Sequence, residues 1–148
     1  MEPTMDIDSQ RKEPEMEKIL VAYDGTEPSK RALAAAAMLG KAFGAPLGVV
    51  SVVPRRPGRY PIDPWDDRKV HADELLEARD LLRAQGLEAE LIEPVGDPAE
   101  MIEQVAEKGG YDTVVVGSRG LGAIGRFLEG SVSEHVATHA AATVVVAR

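Results

Sequence analysis

Short apolar runs alternate with helix-forming segments along this chain, and no other feature restricts its possible folds as strongly. The apolar runs occupy residues 18–23, 46–53, 87–95, 112–117 and 142–147. The helical patterns occupy residues 27–43, 66–85, 96–110 and 131–140. Runs of this length, bounded by turn residues, are typical of strands that are covered on both faces. The alternation predicts an α/β fold, a five-stranded parallel doubly wound (Rossmann-like) sheet with helices on both faces.

The segment before the first apolar run has a different composition from the rest. Residues 1–17 are rich in acidic and polar side chains and contain no apolar core of the kind that a signal peptide has. Such a segment cannot bury enough apolar surface to become ordered. We therefore expect a disordered acidic tail over 1–17 and one folded domain over 18–148, a common length for a single domain.

Composition excludes several classes of function. The chain contains no cysteine, so it has no thiol nucleophile and no cysteine-ligated metal, and the cytoplasm is the expected location. Its net charge of −8 argues against a nucleic-acid partner or an anionic membrane surface, which both need clustered Lys and Arg. No apolar run approaches the ~18 residues of a membrane span.

The segment after the fourth apolar run is unusually rich in glycine. Its glycines are Gly117, Gly120, Gly122, Gly125 and Gly130. Ligands of doubly wound sheets bind beyond the carboxyl ends of the strands, and bare backbone N–H groups in such a turn can hold a phosphate. The segment is not a P-loop, because GxxxxGK[ST] is absent and no lysine follows Gly117. A phosphate cradle and a plain flexible loop both remain open from spacing alone.

The glycine spacing nevertheless resembles that of a known family, the universal stress proteins in their ATP-binding branch. That branch carries G-x2-G-x9-G-[ST] after the fourth strand, and here the pattern is met by Gly117, Gly120, Gly130 and Ser131. The stretches "VAYDGTEPS" and "GDPAEMI" are also similar to the strand exits of the family. The resemblance extends over about residues 19–147, and it implies the adenine nucleotide α-hydrolase-like form of the fold.

The resemblance implies a binding site for ATP, with Mg²⁺ or Mn²⁺ at the phosphates. Asp24 would lie near the adenosine, beside a ribose hydroxyl, and Val52 or Val53 would form the adenine slot. The phosphates and ribose would be held by the segment after strand four, through Gly117, Ser118, Arg119, Gly120, Gly130, Ser131, Val132 and Ser133. The last strand would pair with its copy in a homodimer, through Thr143, Val144, Val145 and Val146.

Three functions are compatible with these observations. The first is a dimeric regulatory protein that holds ATP and hydrolyses it slowly or not at all, since no catalytic residue is evident. The second is a binding module for AMP or cyclic AMP. The third is an adenylylating or hydrolytic enzyme of the same fold, although the chain contains no HxGH pair and no SGGxDS loop. His135 and His139 lie one helical turn apart without a third ligand, so we predict no protein metal site.

Overall fold

The computed structural model describes residues 16–54, 68–118 and 142–148. The strands in these residues are β1 (Ile19–Ala22), β2 (Leu47–Val50), β3 (Val53–Pro54), β4 (Ala89–Ile92), β5 (Val95–Gly96), β6 (Thr113–Gly117) and β7 (Thr143–Ala147). The helices are α1 (Glu27–Phe43), α2 (Arg68–Arg83) and α3 (Pro98–Gly109).

Five of the strands form one parallel sheet, which confirms the predicted fold class. Its order is β4-β2-β1-β6-β7, with β1 at the centre. Val21 of β1 lies opposite Val49 of β2 on one side and opposite Val115 of β6 on the other. The chain therefore moves outward from β1 through β2 to β4, and then returns to the other side of β1 for β6 and β7. The direction of winding reverses between β1 and β6.

Burial of the strands follows their position in the sheet. Every residue of β1, β2 and β6 is buried, as expected for central strands with helices on both faces. The outer strands β4 and β7 are only partly covered. This gradient explains why the runs of Val, Ile and Leu predicted the central strands so directly.

Helix α1 begins and ends at residues that satisfy its terminal backbone groups. The Thr26 side chain accepts a hydrogen bond from the Ser29 N–H, and Pro28 occupies the first turn. At the other end Gly44 adopts φ 64°, a left-handed conformation that suits glycine, and its N–H donates to the Gly40 carbonyl. Apart from Leu33, the buried face of α1 consists of small residues, which lets the helix lie close to the sheet.

The helices cover the two faces of the sheet separately. One core cluster joins α1 and α2 to the side chains of Ile19, Val21 and Val49, and the other joins α3 to those of Leu20 and Val50. Consecutive strand residues thus enter opposite cores, as the pleat requires. Asp97 caps α3 by accepting from the Glu100 N–H at 3.2 Å.

Two of the predicted strands are shorter than their apolar runs. The run 46–53 divides into β2 and β3, and the run 87–95 divides into β4 and β5. The second pieces pair with each other in a separate two-stranded ladder, in which Val53 lies opposite Val95. Pro94 has no N–H to donate, which interrupts the main sheet, while its carbonyl accepts from the Val53 N–H at 2.8 Å. The helix predicted over 131–140 and the tail over 1–15 lie outside the described residues.

Candidate functional site

The point where the winding reverses is the natural ligand site of such a sheet. Crossovers on the two sides of β1 leave in opposite directions, so a crevice opens beyond the carboxyl ends of β1 and β6. The exits of β1, β2 and β6 lie side by side at this edge because the strands are parallel neighbours. Five residues predicted to bind the ligand belong to these exits: Asp24, Val52, Val53, Gly117 and Ser118.

The exit of β1 holds Asp24 in an ordered turn. One carboxylate oxygen, Oδ1, accepts hydrogen bonds from both the backbone N–H (3.0 Å) and the hydroxyl of Thr26. The Asp24 N–H donates to the Ser29 hydroxyl at 3.2 Å, and Gly25 takes φ 80° to complete the turn. The second oxygen, Oδ2, accepts no hydrogen bond from the described residues, which leaves it available to a ligand.

The exit of β6 approaches the first turn of α1 very closely. A Cβ added to Gly117 would lie 2.6 Å from the Pro28 carbonyl oxygen and 2.7 Å from the carbonyl carbon. Glycine is therefore required here by backbone packing, whatever its role toward a ligand. The next residue, Ser118, donates its N–H to the Ala147 carbonyl at 3.0 Å and exposes its side chain. Its hydroxyl, rather than its amide, is free to face a ligand.

The exit of β2 presents its two valines differently. Val52 is half-buried and packs against the core cluster around α3, whereas Val53 is only 5% exposed. The side chain available to form a slot is therefore that of Val52, and Val53 can contribute mainly through its backbone. The remaining predicted site residues lie outside the described residues: Arg119, Gly120, Gly130, Ser131, Val132 and Ser133.

A buried polar cluster beside these exits was not predicted. The hydroxyl of Ser51 lies 2.9 Å from Nδ1 of His71 and donates to Oε2 of Glu74 at 3.1 Å. Nδ1 of His71 is also 3.2 Å from the same glutamate oxygen. Ser51 is a single polar residue within an apolar run, and His71 and Glu74 share one face of a helix, so the sequence did contain a signal.

The arrangement of this cluster differs from that of a catalytic triad. Serine and glutamate both contact Nδ1, whereas nucleophile activation requires them on opposite ring nitrogens. Nε2 of His71 is buried and has no hydrogen-bond partner among the described residues. Burial raises the pKa of the Glu74 carboxyl, the His71 and Ser51 contacts lower it, and the charge of Asp24 raises it. The cluster is suited to holding a proton rather than to attacking a substrate.

A tyrosine joins the same region to α2. The hydroxyl of Tyr23, the first residue after β1, donates to Oε1 of Glu77. Burial, followed by the hydrogen bond to Glu77, raises the pKa of the Tyr23 hydroxyl, so it stays protonated and remains a donor. The β1 exit and α2 are thereby joined by a polar contact as well as by the packing of apolar side chains.

The described parts of the chain contain neither a cluster of metal ligands nor a helix that could span a membrane. Residues 16–54, 68–118 and 142–148 contain no group of three His, Asp or Glu side chains that could hold a metal ion. Within the same ranges, no helix combines the length and the apolar character needed to cross a bilayer. An open groove of about 390 Å³ lies beside β4 and α3, and Tyr111 and Glu90 are among its lining residues.

Comparison with known proteins identifies the group to which this arrangement belongs. The family model described as the universal stress protein family matches residues 15–148. The chain belongs to the universal stress protein family. The resemblance to this family that the glycine spacing indicated is therefore confirmed. The match covers the strand exits described above, as well as the segment between β6 and β7.

Individual relatives agree with this assignment. The Thermus aquaticus universal stress protein in QAH/OAS sulfhydrylase 3'region is 36% identical over 138 residues, covering 88% of this chain and 97% of that protein. Universal stress protein YxiE of Bacillus subtilis is 30% identical over 145 residues, covering 88% and 98% respectively. The chain thus spans almost the full length of both relatives.

Two solved structures of similar proteins contain a nucleotide. A universal stress protein in complex with cAMP superposes with a TM-score of 0.64 at 27% identity, covering 89% of this chain and 96% of that one. The universal stress protein of Archaeoglobus fulgidus in complex with dAMP gives a TM-score of 0.64 at 26% identity, covering 89% and 98%. Both ligands are adenine nucleotides.

Proposed function

We propose that this universal stress protein binds an adenine nucleotide, ATP with Mg²⁺ or Mn²⁺, at the crevice between the exits of β1 and β6. The observation that carries the proposal is that Oδ2 of Asp24, beside the point where the winding reverses, accepts no hydrogen bond within residues 16–54, 68–118 and 142–148. A carboxylate oxygen that is oriented by a turn and has no partner is a suitable acceptor for ribose hydroxyls. The cAMP and dAMP complexes of similar proteins support the same class of ligand.

The phosphates would extend from the ribose toward the glycine-rich segment that begins at Gly117. Ser118 follows Gly117 directly, and its side chain is exposed at the start of this segment. We propose that Arg119, Gly120, Gly130, Ser131, Val132 and Ser133 complete the phosphate site. A divalent ion would be held mainly by phosphate oxygens and water, as Mg²⁺ often is, because the described residues offer no three-ligand cluster.

Binding can be tested with a panel of nucleotides. Saturation with Mg-ATP at about 100 times its dissociation constant stabilises the folded state by about 2.7 kcal/mol. For a domain of this size, we expect the melting temperature to rise by roughly 5–11 °C. Isothermal titration with ATP, AMP, cAMP and GTP would identify the preferred ligand. A midpoint that moves by less than about one degree with every adenine nucleotide would refute the proposal.

Substitution of Asp24 tests the proposed contact directly. Asp24→Asn keeps an oxygen to accept from Thr26 but replaces Oδ2 with a donor, so the turn should survive while ribose recognition is lost. A hydrogen bond to a charged group contributes about 1.5–3 kcal/mol, which predicts about 10- to 100-fold weaker binding. Asp80→Asn, in an exposed carboxylate on α2, is the matched control and should bind like the wild type.

A second candidate function is a binding module for AMP or cyclic AMP. The observation that favours it is that the two solved structures reported above hold nucleotides with a single phosphate. Titration separates the two candidates, because an ATP-binding protein needs the phosphates for affinity, whereas a monophosphate module prefers AMP or cAMP. Multiple-turnover release of phosphate or pyrophosphate would instead favour an enzyme of the same fold.

We also propose that the protein acts as a homodimer joined through β7, and that it works in the cytoplasm. β7 is an outer strand of the sheet, and Val146 is 36% exposed. An uncovered edge of consecutive valines is prone to pair with other chains, and a two-fold dimer covers it. The pairing residues would be Thr143, Val144, Val145 and Val146. Nucleotide occupancy would then act as a signal that changes the affinity of the dimer for a partner.

A further inference from the structure

The cluster of Ser51, His71 and Glu74 occupies a position that the proposed nucleotide site alone does not explain. Ser51 directly precedes Val52, the proposed adenine contact, and is 2% exposed. His71 is 7% exposed and Glu74 is somewhat more accessible. A Cβ placed on Gly25 in the β1 exit would lie 3.7 Å from the Glu74 side chain. The cluster therefore lies beside both of the strand exits to which we assign the adenosine end.

Through these contacts the cluster holds the N-terminal half of α2 against the site. Ser51 belongs to the β2 exit, while His71 and Glu74 lie one turn apart on α2. The serine and histidine are separated by twenty residues of sequence. A change in their hydrogen bonding would move the β2 exit relative to α2, and with it the backbone around Val52.

The hydrogen bonding of the cluster depends on how many protons it holds. Three polar atoms converge within 3.2 Å, the Ser51 hydroxyl, Nδ1 of His71 and Oε2 of Glu74. With the glutamate ionised, it accepts from both the hydroxyl and the ring N–H. If a proton is added to the ring or to the carboxyl, the cluster loses one hydrogen-bond acceptor. In either case Nε2 of His71 must then carry a hydrogen. Nε2 is buried and has no hydrogen-bond partner within the described part of the chain. An N–H at this position would be unsatisfied, so adding the proton is costly in the free protein.

The surrounding charges are almost all negative. Asp24 on the β1 exit raises the pKa of Glu74 through its charge, and Glu77 lies on the same helix, bonded to Tyr23. From β4, which also packs against α2, Glu90 instead accepts from Tyr111, and Glu88 pairs with Arg83 at the far end of the helix. From α1, Lys41 donates to Gln85, also at the far end. No described lysine or arginine is hydrogen-bonded to the cluster or paired with it.

We propose that Ser51, His71 and Glu74 are proton-linked positioning residues of the nucleotide site, so that a bound anionic nucleotide and a proton on the cluster stabilise each other. This inference rests on the proposed function. The phosphate attached to the ribose that Asp24 contacts adds negative potential at Glu74, as the charge of Asp24 already does, and this favours the protonated cluster. Protonation in turn fixes the β2 exit in the arrangement that the nucleotide selects. By linkage, affinity rises as the pH falls through the titration of the cluster.

The size of the effect follows from Coulomb's law. Two unit charges about 10 Å apart, at an effective dielectric constant of about 20–40, change an equilibrium constant on the order of four- to sixteenfold. Screening by salt reduces this, so we expect binding to become on the order of fivefold tighter between about pH 8 and about pH 5.5. A fivefold change corresponds to the uptake of about 0.3 proton for each nucleotide bound, averaged over that range.

The test is isothermal titration of the full-length protein with cAMP across this pH range, in buffers of different ionisation enthalpy. Cyclic AMP is chosen because its diester phosphate has no second ionisation near pH 6, unlike a phosphomonoester. ATP serves as a second probe, since its own titration is common to all variants and cancels in their differences. Each variant is first shown to unfold cooperatively in urea.

The informative variants are His71→Asn and Glu74→Gln. In His71→Asn, the asparagine amide lies near the position of Nδ1 and keeps contacts with Ser51 and Glu74, but it does not titrate. In Glu74→Gln, the glutamine amide replaces the carboxyl, keeps its hydrogen bonds and likewise does not titrate. We expect both variants to bind nucleotide with an affinity that is nearly constant with pH. Asp73→Asn, an exposed carboxylate on the same helix, is the control and should retain the dependence of the wild type.

The possible outcomes separate this inference from the proposed function. Wild-type protein that binds nucleotide with a flat pH profile overturns the proton linkage and leaves the nucleotide site intact. A pH dependence that persists unchanged in His71→Asn and Glu74→Gln assigns the proton to other groups and also overturns it. Absence of binding to cAMP and ATP at every pH refutes the proposed function, and the linkage with it.

Discussion

Replacement of Gly117 by alanine should destabilise the fold even when no nucleotide is present. The added Cβ would lie 2.6 Å from the Pro28 carbonyl oxygen, 2.7 Å from its carbonyl carbon and 2.8 Å from its Cβ. Two of these atoms belong to the backbone of the first turn of α1, so no rotation of a side chain relieves the contact. The helix or the end of β6 must shift.

The cost can be bounded from similar cases. An extra methyl group that forces backbone shifts in a packed core typically costs about 1–3 kcal/mol. A shift at this point also disturbs the turn that orders Asp24, because Ser29, which accepts from the Asp24 N–H, lies next to Pro28. For a domain of this size, we expect the melting temperature to fall by about 3–10 °C.

Urea unfolding followed by circular dichroism, without nucleotide, measures this loss as a lower midpoint at an unchanged slope. Ser118→Ala is the matched control, because that side chain is exposed and its backbone N–H still donates to Ala147; its stability should change by less than about 0.5 kcal/mol. If Gly117→Ala unfolds at the wild-type midpoint, the close packing of α1 on β6 is refuted. Gly117 would then have to be explained by the ligand alone.

Three further substitutions test other parts of the structure. Val146→Lys places a charge on the edge strand β7 and should convert the proposed dimer to monomers at low micromolar concentration, measured by light scattering; a surviving dimer would argue against pairing through β7. Asp97→Ala removes the cap of α3 and should cost about 1 kcal/mol of unfolding free energy in urea; an unchanged midpoint would show that the cap is dispensable. Because burial raises the pKa of Glu74, its stabilising contribution is present at low pH and is lost as the pH rises through the folded-state pKa. Relative to wild type, Glu74→Gln should therefore gain stability as the pH rises above about 4.5, the usual pKa of a glutamate in an unfolded chain, and parallel pH profiles would contradict this.

Most of the fold could be predicted because its determinants are local. The central strands are apolar runs buried on both faces, and α1 and α3 begin at residues that cap them. The β3–β5 ladder could not be predicted in this way, because it depends on Val53 meeting the carbonyl of Pro94 after the chain has folded. Local patterns specify elements, but they do not specify which of two short extended segments will pair.

The candidate site was predicted unevenly for the same reason. Asp24 and Gly117 occupy strand exits that the alternation of elements already places together. Their neighbours were not evident: Gly117 is required by the backbone of Pro28, and Ser51 meets His71 only because α2 packs on β2. The reason why each of these residues is needed lies in a contact between segments that are far apart in the sequence. A single sequence does not show such contacts.

Electrostatics connects the two proposals. The described exits of β1, β2 and β6 carry Asp24 and lie beside Glu74 and Glu77, and they include no lysine or arginine. A polyanionic ligand placed there would be repelled unless its charge is balanced by backbone N–H groups, by the proposed contact with Arg119, by a divalent ion or by protons. Affinity for ATP should therefore depend more strongly on the divalent ion than affinity for cAMP, whose single charge needs less compensation. Proton uptake by the Ser51–His71–Glu74 cluster reduces the same repulsion, so its effect should be larger when the divalent ion is withheld.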